Sequence, residues 1–175
     1  RVSICAKKPR VQRVFDEIIP KLGYYLSKDR KLRWDINNVQ LATYMQQFSV
    51  GVQNKFLPDW VFQLSQRQSR ILLESMILGD GRSNKRTGSQ WYSTTSNVLA
   101  DQFMQLCLHA GWSSNKTVHV KAGTEVTVFR LSVIKTKNEV EVNHGSLIQE
   151  EELYDYEGSV YCVEVPGNVF MVRKD

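Results

Sequence analysis

Apolar positions along this chain recur at helical and at strand spacing, and one run sets the frame. Residues 69–81, SRILLESMILGDG, are apolar and end in Gly-Asp-Gly. Their spacing predicts a helix with two faces. Leu73 and Ile77 fall on one side, suited to a local core. Leu72, Ser75, Met76 and Gly79 recur at i, i+3, i+4 and i+7, a second stripe whose small residues let another helix approach closely. Ser65, with Gln68 three residues on, predicts a capping box at its start. Taken alone, the run also reads as an ordinary buried helix, with a Gly stop and Asp80 as a turn residue.

The rest of the chain alternates short strands with helices. Residues 1–5 alternate like a strand. Pro9 suits a helix start, and Val11, Val14, Phe15, Ile18, Ile19 and Leu22 follow at helical spacing up to a stop at Gly23. Pro20 predicts a bend or stop late in that helix. Residues 24–27 and 33–36 read as a hairpin, and Asn37 or Asn38 caps a helix carrying Leu41, Tyr44, Met45 and Phe48. Residues 50–57 read as loop, followed by a short helical turn from Pro58. Beyond Gly81, residues 82–88 read as a polar basic loop, 90–95 as a strand, and 96–110 as a helix stopped by Gly111. Residues 112–121 and 125–134 form a hairpin around Ala122-Gly123-Thr124.

These pieces repeat at an interval of 88. Phe15 pairs with Phe103, Leu22 with Ala110, Gly23 with Gly111 and Tyr24 with Trp112. Each copy reads strand, helix ending in Gly, aromatic, hairpin, and self-similarity of this kind predicts repeated architecture. The same offset places a first copy of the 72–80 helix just upstream of Arg1.

Composition narrows the class. The 175 residues are 42% hydrophobic and 23% charged, enough to build a core. No apolar run approaches the roughly 20 residues of a membrane span, so no membrane partner is expected. Cys5, Cys107 and Cys162 are odd in number and scattered, which predicts no disulfide framework and a reducing, intracellular compartment. His109, His119 and His144 show no zinc-ligand spacing with them. Residues 1–137 hold 21 Lys and Arg against 9 Asp and Glu, while 138–175 hold 2 against 9. A basic body with an acidic tail predicts two modules, the first with a polyanionic partner.

The 69–81 run resembles the signature helix of the LAGLIDADG homing endonucleases. Leu73, Ile77, Asp80 and Gly81 match its motif, Ser75 and Gly79 keep its small positions, Met76 is a conservative change, and Glu74 and Leu78 depart from it. With the 88-residue repeat, residues 1–137 resemble the double-motif members. The resemblance implies an α/β (α+β) fold of two αββ-type repeats, with antiparallel saddle-shaped sheets and helices. Residues 1–67 would be the remainder of the first half and 68–137 the second half, which looks short. Residues 160–175 resemble the late splicing block of inteins, with Asn168 at that block's internal His position. This implies a small all-β, Hint-like segment over 138–175, incomplete, that does not splice from this chain alone. As a bare pattern, 159–173 is a β-hairpin around Pro166-Gly167-Asn168.

Phosphodiester hydrolysis needs a positioned water and charge neutralisation at the scissile phosphate, which divalent metals held by carboxylates supply. Asp80 is the candidate ligand, with the Gly79 carbonyl as a second oxygen, and the resemblance implies Mg²⁺ or Mn²⁺. The family also uses a lysine near the metal-bound water. Lys55, in a Lys-x-x-Pro setting, and Lys135, ending the last strand, are the candidates. DNA contacts are expected from Lys7, Lys8, Lys28, Arg30, Lys31 and Arg33 in the first half and from Arg82, Lys85, Arg86, Gln90 and Tyr92 in the second. The expected function is site-specific cleavage of double-stranded DNA by an endonuclease embedded in an intein. The partner helix would come from an upstream intein segment in the same precursor or in a second chain. The alternatives are a free-standing or intron-encoded endonuclease and a maturase-like DNA- or RNA-binding protein that no longer cleaves.

Overall fold

The computed structural model describes residues 1–23, 26–28 as backbone, 33–48, 50–120, 123, 126–136, 155–159, 161 and 165. The chain divides into two compact units, Arg1–Glu139 and Val140–Asp175. In the second unit the described residues are few, and the Tyr156 hydroxyl donates to the Ser159 carbonyl at 3.3 Å. The expected splicing hairpin over 159–173 lies largely outside the described residues.

The first unit is α+β, with two antiparallel sheets and helices against them. In order come β1 (Val2–Cys5), α1 (Pro9–Lys21), β2 (Leu26–Lys28), β3 (Arg33–Ile36), α2 (Val39–Gln46), a 3₁₀ turn (Asp59–Gln63), α3 (Gln66–Asp80), β4 (Arg82–Ser83), β5 (Gln90–Thr94), α4 (Asn97–His109), β6 (Ser113–Val120) and β7 (Thr127–Ile134). One sheet has the order β1-β3-β2 and the other β4-β5-β7-β6. Moving β1, β3 and β2 along by one repeat gives β5, β7 and β6 in the same order. Gly23 and Gly111 close α1 and α4 with the same φ of 71°, a left-handed stop that glycine adopts without a Cβ penalty.

The local signals account for most boundaries. Ser65 and Gln68 form the capping box of α3, Asn38 caps α2, and the Ser96 side chain accepts from the Leu99 amide at the start of α4. Two expectations change. Helix α1 runs through Pro20 to Lys21 because the proline falls in the last turn, where only one main-chain bond is lost. The Leu22 and Gly23 amides then close the helix on the Ile19 and Pro20 carbonyls. The expected loop at 82–88 begins as an edge strand, with Arg82 opposite Trp91 and Ser83 opposite Gln90.

The larger core lies between α3, α4 and the four-stranded sheet. Leu73, Phe103, Leu106 and Leu131 are fully buried there, with Ile77 and Tyr92 beside them. The first repeat has a smaller core around Trp34, Ile36, Ile19, Val11 and Ala6. The difference is what covers the repeat helix. Leu106 and Ala110 on α4 are fully buried, and α3 lies over this end, with Arg70 Nε donating to the Ala110 carbonyl at 2.7 Å. Their repeat partners on α1, Ile18 and Leu22, are 46% and 55% exposed. Covering each would contribute roughly 1 kcal/mol, half of what full burial of such a side chain provides.

The Gly-Asp-Gly end of α3 separates two glycines by physical role. A Cβ at Gly81 would lie 2.6 Å from the Ile77 Cα and carbonyl oxygen, whereas a Cβ at Gly79 meets nothing within 4 Å. Gly81→Ala is therefore expected to destabilise the chain by about 1–3 kcal/mol through overpacking. Gly79→Ala is expected to be neutral or to stabilise by up to about 1 kcal/mol through helix propensity. Urea unfolding followed by circular dichroism checks both, and equal losses would contradict the close approach at Gly81.

Candidate metal and nucleic-acid site

The site is built around the C-terminal end of α3. A helix end leaves carbonyls without partners inside the helix, and here the first repeat supplies donors. Arg10 Nε donates to the Leu78 carbonyl at 2.9 Å, and its Nη2 donates to the Gly81 carbonyl at 2.7 Å. Lys8 Nζ donates to the Gly79 carbonyl at 2.5 Å and lies 3.5 Å from Asp80 Oδ1. Cations at this end of a helix are also favoured by the aligned peptide dipoles. The Asp80 carboxylate itself is exposed.

Asp80 borders two clefts. One, of about 610 Å³, is lined by Lys8, Arg10, Asp80, Gly81, Arg82, Trp91, Ser93 and Arg130. It sets four cationic side chains against one carboxylate. The other, of about 310 Å³, has Lys55, Tyr92, Thr94 and Val128 in its wall with Asp80. The segment carrying Lys55 is pinned to β5 and α4. Ser96 Oγ donates to the Lys55 carbonyl at 2.6 Å, and Thr95 Oγ1 donates to the Val52 carbonyl at 3.1 Å. The Gln102 amide clamps Leu57 from both sides, accepting from its N–H at 2.6 Å and donating to its carbonyl at 3.2 Å.

The structure thus brings Asp80, Gly79 and Lys8 together and sets Lys55 with Asp80 in the wall of the second cleft. It places Lys135 elsewhere, 3.4 Å from a Glu74 carboxylate oxygen and 4.4 Å above the Trp112 ring. Among the described residues no group of three or more His, Cys, Asp or Glu converges. Two oxygens are fewer than a hexacoordinate Mg²⁺ requires, so water, phosphate oxygens or a carboxylate from another helix would complete the set.

Register sorts the strand residues by face. Arg82, Trp91, Ser132 and Asn115 form one cross-strand row, and Ser93, Arg130 and Thr117 the next. Pleating puts both rows on the face opposite Tyr92 and Leu131. Arg130 lies 4.4 Å over the Trp91 ring. Trp91, Arg130, Asn115 and Thr117 were not among the expected DNA contacts. Alternation would have found them, because Phe129, Leu131 and Val133 point Arg130 and Ser132 away from the core.

Tyr92 requires a correction. It is 6% exposed and stacked on Phe103 with ring centroids 4.9 Å apart, so it is a core residue and not a DNA contact. Gln90 shares its parity and bonds Ser83 at 3.3 Å. Lys7, Arg82, Lys85 and Arg86 are exposed as expected. Arg33 is half-buried, with Nε 3.4 Å from an Asp35 carboxylate oxygen. That carboxyl is held below its ordinary range by the Ser3 hydroxyl bond, aided by Arg1 and Arg33. The side chain of Lys28, and Arg30 and Lys31 entirely, lie outside the described residues.

No protein-family model matches the chain. Over 216 aligned residues, 99% of this chain, it is 32% identical to a DNA-directed RNA polymerase subunit beta C-terminal section of Stigeoclonium helveticum. Over 122 residues, 70% of this chain, it is 35% identical to an ATP-dependent Clp protease proteolytic subunit of Chlamydomonas moewusii. The chain spans only 20% and 12% of these curated relatives. Two solved structures of variants of the homing endonuclease I-DmoI, one in complex with its target DNA in the presence of magnesium, are similar at TM-scores of 0.44 and 0.43. Sequence identity to both is 11%, and the likeness covers 75% of this chain and 71% and 70% of theirs.

Burial, and then the charge of Asp80, push the Tyr92 hydroxyl up to about 12 from 10.0. A folded-state value above the unfolded one gives a contribution present below pH 10 and lost as pH rises towards 12. The wild-type chain is thus expected to lose about 2–3 kcal/mol more than Tyr92→Phe between pH 10 and 12. Paired urea melts across that window check this, and parallel curves would contradict it.

Proposed function

We propose that residues 1–137 form a LAGLIDADG-type DNA endonuclease module embedded in an intein, whose C-terminal splicing segment is 138–175. The observation that carries the nuclease reading is the α3 end, where the Asp80 carboxylate and the Gly79 carbonyl sit at the rim of a cleft walled by Lys8, Arg10, Arg82 and Arg130. Such a wall suits a phosphodiester strand, since Lys and Arg neutralise phosphates and release counterions. The outer sheet face adds side chains able to bond base edges, Asn115, Thr117 and Arg130 among them.

The residues present fit a divalent ion in the character of their donors. Both are hard oxygens, and an ammonium already stands on them as a cation of the same sign. Bound at Asp80 and Gly79, Mg²⁺ or Mn²⁺ would supply charge neutralisation at the scissile phosphate and a more acidic water. Arg82 and Arg130 hold the strand in the cleft. Lys55 brings an ammonium to the other side of Asp80, suited to steady the attacking water or the leaving oxygen.

Two features support the embedded reading. The alignments to the polymerase section and to the protease subunit cover 99% and 70% of this chain and therefore overlap. Two proteins with such different names share this segment, which suits an intervening sequence better than a working part of either. This favours an intein over a free-standing or intron-encoded enzyme. The exposed Ile18 and Leu22 on α1 suit a second α3-like helix, the expected partner from the upstream intein segment. A lone carboxylate among the described cleft residues favours, as a second reading, a nucleic-acid binder that does not cleave.

The test uses protein carrying both repeats, incubated with plasmid libraries in Mg²⁺ or in chelator. Metal-dependent cleavage is expected, with Asp80→Asn removing it while duplex affinity stays within a few-fold. Tight binding without cleavage would establish the second reading, and cleavage at the wild-type rate by Asp80→Asn would remove Asp80 from the site.

A further inference from the structure

Among the described residues, Lys8 is the side chain that touches both oxygens assigned to the divalent ion. Its Nζ lies 2.5 Å from the Gly79 carbonyl oxygen and 3.5 Å from Asp80 Oδ1. The sequence separation is 71 residues, so the contact joins the β1–α1 junction of the first repeat to the helix end of the second. Arg10, two residues on, engages the neighbouring carbonyls of Leu78 and Gly81 and leaves the Gly79 oxygen to Lys8. The junction is tied on both sides. Pro9 opens α1, and Gln12 Nε2 donates to the Ala6 and Lys7 carbonyls at 3.1 and 3.2 Å. A cation on a flexible stem is thereby delivered to the point where Asp80 and Gly79 converge.

Resting on the metal reading above, we propose that Lys8 is an internal counterion of the divalent site and must leave it before the ion can enter. The ammonium and a divalent ion compete for the same two oxygens, because both are cations and the contact distances leave room for one. Displaced, Lys8 swings into the cleft it already lines, among Arg10, Arg82 and Arg130. There it faces the strand whose phosphate accompanies the metal. Metal entry and the gain of a further cation for the phosphate are thus one event. In the absence of metal, Lys8 keeps Asp80 from standing as an uncompensated carboxylate at a helix C-terminus, where the peptide dipole disfavours it.

The competition has a bounded size. An exposed ion pair contributes up to about 1 kcal/mol, so removing Lys8 should tighten divalent or lanthanide binding by up to roughly fivefold. The test is a Tb³⁺ titration of the 175-residue chain, reading emission sensitised by tryptophan, since Trp91 lines the same cleft as Asp80. Wild type, Lys8→Met, Lys8→Arg, Arg82→Met and Asp80→Asn are compared, with circular dichroism confirming that each is folded. Lys8→Met is expected to bind more tightly than wild type. Lys8→Arg should fall near wild type. Arg82→Met, which removes a cleft charge that makes no contact with either oxygen, should change the affinity by less than Lys8→Met does. Equal or weaker binding by Lys8→Met, or an equal gain from Arg82→Met, would overturn the proposal while leaving an Asp80-dependent ion in place. Loss of the Asp80 dependence itself would overturn the metal reading as well.

Discussion

A helix that ends in the open must find donors for its last carbonyls, and the structure depends on how α3 does so. Leu78, Gly79 and Gly81 take theirs from Lys8 and Arg10, residues of the other repeat. The bonds that finish the helix therefore also join the two repeats. They fix the Asp80 carboxylate at the rim of a basic cleft while Leu73 and Ile77, one turn apart, anchor the same helix in the core. Gly81 makes the turn possible by its closeness to Ile77, not by an unusual backbone angle.

The two repeats share a topology and differ in cover. Helix α4 is sealed by α3, and the face of α1 that matches it remains open at Ile18 and Leu22. One consequence is chemical. For the proposed ion, Asp80 and Gly79 offer two of the six oxygens of a hexacoordinate set, and an open helix face is one side of a seam. On the proposed function, one object would complete both, an α3-like helix ending in a carboxylate.

Local signals made much of this readable from the residues. The caps at Ser65, Asn38 and Ser96, the glycine stops and the 88-residue repeat depend on neighbours a few positions apart or on composition, and they were visible as spacing. The strand faces were half visible. Tyr92 sits with Arg82, Lys85, Arg86 and Gln90 in the sequence, which suggests a contact, yet strand parity pairs it with Leu131 and the core. The contacts of Lys8 and Arg10 with the end of α3 span 68 to 71 residues, and no local pattern reports them. Lys135 shows the converse. Its place at a strand end suggested the site, but Glu74 and the Trp112 ring hold it elsewhere.

On the proposed function, the outer face of the four-stranded sheet and the adjoining cleft bind duplex DNA through phosphates. The most direct measurement is duplex affinity of the 175-residue chain across a salt series, for wild type, Arg82→Ala, Arg130→Ala and Lys116→Ala. Lys116 is the control, since it is committed to Asp101 at 2.8 Å and to Asn97 at 2.6 Å on the inner side. Steeply salt-dependent binding is expected, with the slope of log affinity against log salt flattened by about 1 in each of the two arginine variants and unchanged in Lys116→Ala. Binding independent of salt, or an equal flattening by Lys116→Ala, would contradict it.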